Sequence, residues 1–145
     1  MRARAGAHES MHYREYAWIK GKISTLVLQD FVGATFGAMF FAVTQEVWDI
    51  AKALQTINLI AIIAISLIMG FALVYLSRRR RAISVRIEHA ASFRAVEIYV
   101  ISFLTSLLFV VVLSTADTSA EILRQTIVIT LPAVVSAATA DLLFF

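Results

Sequence analysis

The hydrophobic positions of this chain fall into four long runs, separated by short polar or charged segments. The runs cover about residues 26–50, 56–76, 93–115 and 121–143. Each has the roughly 20 residues with which an α-helix crosses the hydrocarbon core of a bilayer. Because a helix pairs its own backbone groups, the pattern predicts four transmembrane helices.

The segment before these runs, residues 1–23, is polar and of mixed charge. Aromatic and basic side chains lie side by side in its second half: Tyr13, Tyr16, Trp18, Lys20 and Lys22. This composition is typical of a helix at the membrane surface, and a partly ordered tail is the alternative. We therefore predict an all-α integral membrane protein, with a short N-terminal interfacial helix and a four-span domain over residues 24–145.

The first run, Ser24 to Ile50, differs from the others because it carries small and ionisable residues within the span. On a helix at about 100° per residue, its bulky apolar residues share one side. The remaining arc includes Asp30, Gly33, Gly37, Gln45, Glu46 and Asp49. Ionisable residues in a span normally face protein or water, so we expect this to be the innermost helix, lining a bundle core or a pore.

Composition agrees with a membrane protein, since 60% of the residues are hydrophobic and the mean hydropathy is +0.81. The chain has no cysteine, which excludes disulfides and thiolate metal sites. Its net charge is only +3, but the basic residues are unevenly placed. All the Lys and Arg residues except Lys52 and Arg124 precede the first span or lie between Arg78 and Arg94. By the positive-inside rule we predict a multi-pass protein of the plasma or inner membrane with both termini in the cytoplasm.

This topology places the acidic residues in two layers. Glu46 and Asp49 lie towards the outer surface, whereas Asp30, Glu97 and Asp141 lie near the inner surface. In a symmetric homo-oligomer, one Glu46 from each subunit forms a ring, and such rings concentrate and select cations. We therefore predict a cation channel or cation-binding transport protein, with the first span lining the pathway.

In this interpretation Glu46 is the main cation contact and Asp49 the outer attractor, and together they suit a divalent cation such as calcium. Asp30 and Glu97 form the inner mouth. We predict an apolar constriction in the pathway, formed by Met39, Ala42 or Val43, that closes the pathway by dewetting. The expected partners are the lipid bilayer, other copies of the chain and cations, with no nucleic acid.

The alternative is that the charges only pair, as Glu46 with Arg124 and Glu97 with Arg94. The protein is then a non-conducting accessory subunit of the membrane. Gly33 and Gly37 form a GxxxG pattern that fits both interpretations, because it predicts close packing of the first span against another helix.

A second alternative comes from the sequence HESMH at residues 8–12, which matches HExxH. In that motif His8 and His12 bind zinc and Glu9 activates water. It resembles the zincin metalloproteases and implies a membrane-bound zinc protease. A catalytic zinc needs a third protein ligand, for which the sequence offers only His89, Glu88 or Asp30. We therefore expect no enzyme activity.

Two family resemblances accompany these patterns. Glu46 and Trp48, with Gln125-Thr126 and Leu131-Pro132-Ala133 in the last span, are similar to a prokaryotic family known only as integral membrane proteins. The first span also resembles the pore helix of the Orai calcium channels, with Gly37 at mid-helix, Glu46 at the outer end and Asp49 about one turn later. That resemblance implies a four-span homo-oligomer with Glu46 as its selectivity ring.

Overall fold

A computed structural model of the chain describes residues 25–79, 87–113 and 118–144, which form helices and short connections and contain no strand. The helices are α1 (Thr25–Ala42), α2 (Gln45–Ala53), α3 (Thr56–Arg79), α4 (Ile87–Leu113) and α5 (Ser119–Phe144). All except α2 are long and apolar enough to cross a membrane. The predicted all-α fold with four spans is confirmed. The interfacial helix predicted before residue 24 lies outside the described residues.

The structure corrects the predicted extent of the first span. The region expected as one helix over residues 26–50 is interrupted after Ala42, and Thr44 has an extended backbone (φ −95°, ψ 122°). The hydroxyl and the amide of Thr44 both donate to the carbonyl oxygen of Phe41, over 2.8 and 3.3 Å. A threonine that bonds locally in this way competes with the continuing helix. The chain therefore restarts as the short helix α2.

The four long helices pack as an up-and-down bundle whose most buried member is α5, not α1 as predicted. Half of its membrane-spanning segment is buried (50%), compared with 28% of the α1 span. The reason is the run of small residues from Ala133 to Ala140, which lets other helices approach from several directions. α5 contacts α2, α3 and α4 extensively. Many of the large hydrophobic side chains of the bundle point outwards, where lipid surrounds a membrane protein.

α1 lies directly against α5 through its two glycines. A Cβ atom on Gly33 would stand 2.8 Å from the Cα of Ala137, and one on Gly37 would stand 2.5 Å from the carbonyl oxygen of Pro132. Neither position has room for a side chain, since the obstacle is backbone. As the residue number rises along α1, the contact on α5 falls, so the two helices are antiparallel. We call the two ends of the bundle the Arg94 end and the α2 end.

The close α1–α5 contact makes a specific prediction for Gly37→Ala. The added methyl group cannot fit against the backbone of α5, so the helices must separate, and overpacking of this kind costs about 1–3 kcal/mol. We expect a lower unfolding temperature of the purified protein in detergent.

Gly70→Ala is the matched control, because a Cβ there would meet only the side-chain Cγ1 of Val134, at 3.0 Å. The obstacle there is one side-chain methyl group and not backbone, so the loss should be clearly smaller. Equal unfolding temperatures for Gly37→Ala and the wild type would show that the α1–α5 contact is not as tight as described.

Candidate functional site

The Arg94 end of the bundle holds a buried guanidinium surrounded by three carboxylates. Asp30 of α1 contacts Arg94 of α4 through both oxygens, with Oδ1–Nη2 and Oδ2–Nη1 distances of 2.8 Å. Glu97, one turn later on α4, lies 2.9 Å from Nη1. Asp141 of α5 lies 3.3 Å from Nη2. We call these four residues the Arg94 cluster.

Helix positions explain how the cluster assembles. Residues three apart on a helix are neighbours, so Glu97 reaches the guanidinium of Arg94 from within α4. Asp30 lies on the inward side of α1 together with Ala34 and Ala38, which are fully buried. Asp141 follows the small-residue run of α5. The close approach that the glycines permit thus brings the Asp30 side chain to Arg94.

The cluster becomes less buried from Asp30 outwards. Side-chain exposure is 0% for Asp30, 6% for Arg94, 9% for Asp141 and 30% for Glu97. Burying an isolated charge in a low-dielectric interior is costly, and the pairing of Asp30 with Arg94 offsets this cost. One guanidinium balances only one carboxylate. With every group ionised, the cluster carries two negative charges in excess.

The contacts at the two guanidinium nitrogens differ in kind. Nη2 donates hydrogen bonds to Asp30 and Asp141, over 2.8 and 3.3 Å. Nη1 lies within ion-pair distance of Asp30 and Glu97 but makes no aligned hydrogen bond to either. Oδ2 of Asp30 is likewise buried without a hydrogen bond among the described residues. Both guanidinium nitrogens are therefore held by carboxylates at 2.8–3.3 Å, and the excess negative charge of the cluster surrounds them.

The predicted outer site lies elsewhere. Glu46 and Asp49 are exposed on α2, whereas Val47 and Trp48 are partly buried and pack against the core. The predicted Glu46–Arg124 ion pair is not among the ion pairs of the described residues, and Arg124 donates instead to the carbonyl oxygen of Leu54 over 3.4 Å. Because α1 ends at Ala42, these carboxylates are not on the same helix as Asp30.

The three residues predicted to form a constriction do not share a direction. Met39 and Val43 point outwards, with exposed fractions of 55% and 66%, whereas Ala42 is buried with 2% exposed. The turn at Val43 also ends the helix that was to carry them. Within one copy of the chain they therefore form no common gate.

Metal binding has no preformed site in the part of the chain that the structure describes. No group of three His, Cys, Asp or Glu side chains there stands close enough to hold a metal ion. In the Arg94 cluster the guanidinium occupies the space between the carboxylates. His8 and His12 lie outside the described residues, so the zinc-protease interpretation stays a prediction.

A groove of about 840 Å³ runs along the outer side of the α1–α5 contact. Its walls are largely apolar, with Leu28, Val32, Phe36 and Leu143 among them. No carboxylate of the Arg94 cluster lines it. Its chemistry suits lipid acyl chains rather than an ion.

Sequence reasoning placed Arg94 and Asp141 near the inner surface but missed that Arg94 is the centre of the site. The signal was present, because Arg94 is the only basic residue within the third apolar run. Ser102 and Ser106, both completely buried, follow Arg94 at intervals of eight and twelve residues on the buried side of α4.

Four helices that can cross a bilayer, packed around a buried charge cluster, define a helical, multi-pass integral membrane protein. Residues 3–144 match the family described as "Putative integral membrane protein (DUF2391)". The chain belongs to this family, and the resemblance inferred from the first and last spans is confirmed. No curated protein and no solved structure matches the chain.

The cluster predicts that Arg94 is the most sensitive charged residue of the bundle. Arg94→Gln leaves three carboxylates without their cation, and breaking a buried ion pair typically costs about 3–5 kcal/mol. We expect a large fall in the unfolding temperature in detergent, or loss of folded protein on size-exclusion chromatography.

Lys52→Gln is the control for loss of one positive charge, because Lys52 is exposed on α2. Adding Asp30→Asn to Arg94→Gln should restore part of the stability, since the most buried negative charge is then gone. An Arg94→Gln protein as stable as the wild type would contradict the described contacts.

Proposed function

We propose that the protein is a cation-binding transport protein of the cell membrane, and that the cation is a proton held by the carboxylates of the Arg94 cluster. The observation that carries this proposal is the presence of three carboxylates on one buried guanidinium. The excess negative charge calls for another cation in a site largely removed from water. Ionisable residues buried in spans commonly form proton relays.

A proton fits the geometry better than a metal ion does. The guanidinium of Arg94 already fills the centre of the cluster, and the carboxylates are not arranged as ligands of one ion. A proton needs no coordination sphere. It binds to a single carboxylate oxygen and turns that group into a hydrogen-bond donor.

A purely structural role explains less of the arrangement. The two-pronged contact between Asp30 and Arg94 is complete in itself as a buried ion pair. Glu97 and Asp141 add charge that this pair does not require. Since exposure rises from Asp30 to Glu97, the cluster offers a graded connection from the interior to the Arg94 end. By the positive-inside rule, that end faces the cytoplasm.

The second candidate is a homo-oligomeric channel with a ring of Glu46 residues. It is favoured by the exposure of Glu46 and Asp49, which the single chain leaves on its surface. Calcium bound there would take ligands from several copies. This candidate ranks second because α1 turns its polar side, including Asp30, towards α5 and not towards a neighbouring copy.

Proton flux into liposomes containing the purified protein tests the proposal. A potassium gradient with valinomycin supplies the driving potential, and a pH-sensitive dye inside reports the flux. Asp141→Asn is the test variant, because its 3.3 Å contact is the longest in the cluster and the shorter contacts of Arg94 with Asp30 and Glu97 remain. We expect a large loss of flux, because the variant removes one ionisable member of an intramembrane proton relay.

Glu46→Gln is the matched control, since it neutralises a carboxylate on the surface at the α2 end. Its proton flux should equal that of the wild type. Loss of cation flux in Glu46→Gln, with Asp141→Asn unaffected, would support the channel instead. Wild-type protein without any flux would leave the non-conducting subunit as the explanation.

A further inference from the structure

Two completely buried serines on α4 lack, within the described part of the chain, the hydrogen-bond partners that buried hydroxyls normally have. Ser102 and Ser106 have no exposed surface, and neither hydroxyl has a hydrogen-bond partner among the described residues. They are one helical turn apart and, like Arg94, lie on the buried side of α4. Burying a hydroxyl without a hydrogen-bond partner is unfavourable. Two of them on adjacent turns require a physical explanation.

Other buried hydroxyls of the bundle make a hydrogen bond to their own helix that these two serines do not make. Ser66, Thr105 and Thr130 each donate to the carbonyl oxygen one turn earlier, over 2.7–2.8 Å. The same bond is open to any serine in a helix. Ser102 and Ser106 leave it unmade, so their hydroxyls are oriented for another partner.

Residue counting places Ser106 level with hydroxyls on two neighbouring helices. The Arg94–Asp141 and Ser77–Asp141 contacts fix one common level on α3, α4 and α5. At a rise of about 1.5 Å per residue, Ser106, Thr130 and Ser66 all lie about 16–18 Å from that level. This depth is well inside a hydrocarbon core about 30 Å thick. Three helices thus bring buried polar atoms to one layer.

We infer that Ser102 and Ser106 bind internal water in the middle of the bundle. A buried water typically makes about three hydrogen bonds to polar groups that otherwise lack partners. The free hydroxyls of Ser102 and Ser106 supply donors and acceptors, and the oxygens of Thr130 and Ser66 keep lone pairs that accept. Ser102, about 12 Å along α4 from Arg94, extends the polar atoms towards the cluster.

The water gives the Arg94 cluster its connection to the opposite side of the membrane. This part rests on the proposed function, because it assigns the water to the path of the transported proton. Glu97, which is partly exposed, connects the cluster to the Arg94 end. The water at Ser102 and Ser106 extends the proton path from the cluster towards the α2 end. The presence of the water itself depends only on the unpartnered hydroxyls.

The natural absence of cysteine allows a direct test, because one introduced thiol is then unique. The full chain carrying Ser106→Cys is reconstituted in liposomes and exposed to silver ions, which are small and enter by water. The thiols that remain are labelled with a fluorescent maleimide in denaturant. Ser102→Cys is the second test variant, in case the first does not fold.

Val134→Cys is the matched control. Val134 is completely buried, packs against Gly70 and lies about 10 Å from the Asp141 level, a depth close to that of Ser102. We expect silver to protect the Ser106→Cys thiol about tenfold faster than the Val134→Cys thiol, because an ion must shed its water to enter a dry core. Equal rates for both serine variants and the control overturn the water site.

Proton flux of the Ser102→Ala, Ser106→Ala double variant separates the two parts of the inference. A large loss of flux, with the unfolding temperature retained, supports the path. Full flux in the double variant, with loss in Asp141→Asn, overturns the path and leaves the Arg94 cluster as the transport site. If the wild type gives no flux, the proposed function fails, whereas the silver rates still decide whether the serines bind water.

Discussion

The fold depends on the need to compensate one guanidinium inside a membrane domain. Arg94 is 6% exposed, and a charge at that burial is tolerated only with a carboxylate in contact. The planar guanidinium presents several donors in a fixed geometry, so it can hold carboxylates from different directions at once. Asp30 from α1 and Asp141 from α5 take two of these directions. The charge requirement therefore fixes the relative positions of α1, α4 and α5 at one end of the bundle.

Close packing of small residues holds the helices together along the rest of their length. Lipid chains are as apolar as leucine, so helices in a bilayer gain little from burying large hydrophobic side chains against each other. Gly33 and Gly37 bring α1 into backbone contact with α5, and this contact sets the distance at which Asp30 meets Arg94. Packing and charge pairing are thus coupled. A change that separates α1 from α5 also withdraws the most buried carboxylate from its partner.

Features set by the composition of a single helix could be predicted from the sequence. Features set by contacts between helices could not. Four spans follow from the lengths of the apolar runs, and the placement of Asp30, Glu97 and Arg94 near one surface follows from their positions in those runs. The end of α1 was missed because apolar residues continue past Thr44, whose hydroxyl bonds back to Phe41. The choice of α5 as the central helix was missed because the polar arc of α1 looked the same whether it faced a pore or a helix. Only the contact of Gly37 with Pro132 distinguishes these cases.

The distribution of polarity in the bundle argues for a hydrated interior in place of an isolated ion pair. A protein that needed Arg94 only for stability would pair it once and fill the remaining interior with apolar side chains, which is often at least as stable. This bundle adds Glu97 and Asp141 to the pair and places buried hydroxyls on α3, α4 and α5 at mid-depth. Most of these hydroxyls are satisfied by their own helix, but Ser102 and Ser106 are not. Excess charge at one level and unsatisfied hydroxyls two to three turns further along the buried side of α4 have a common physical remedy, which is water that reaches both.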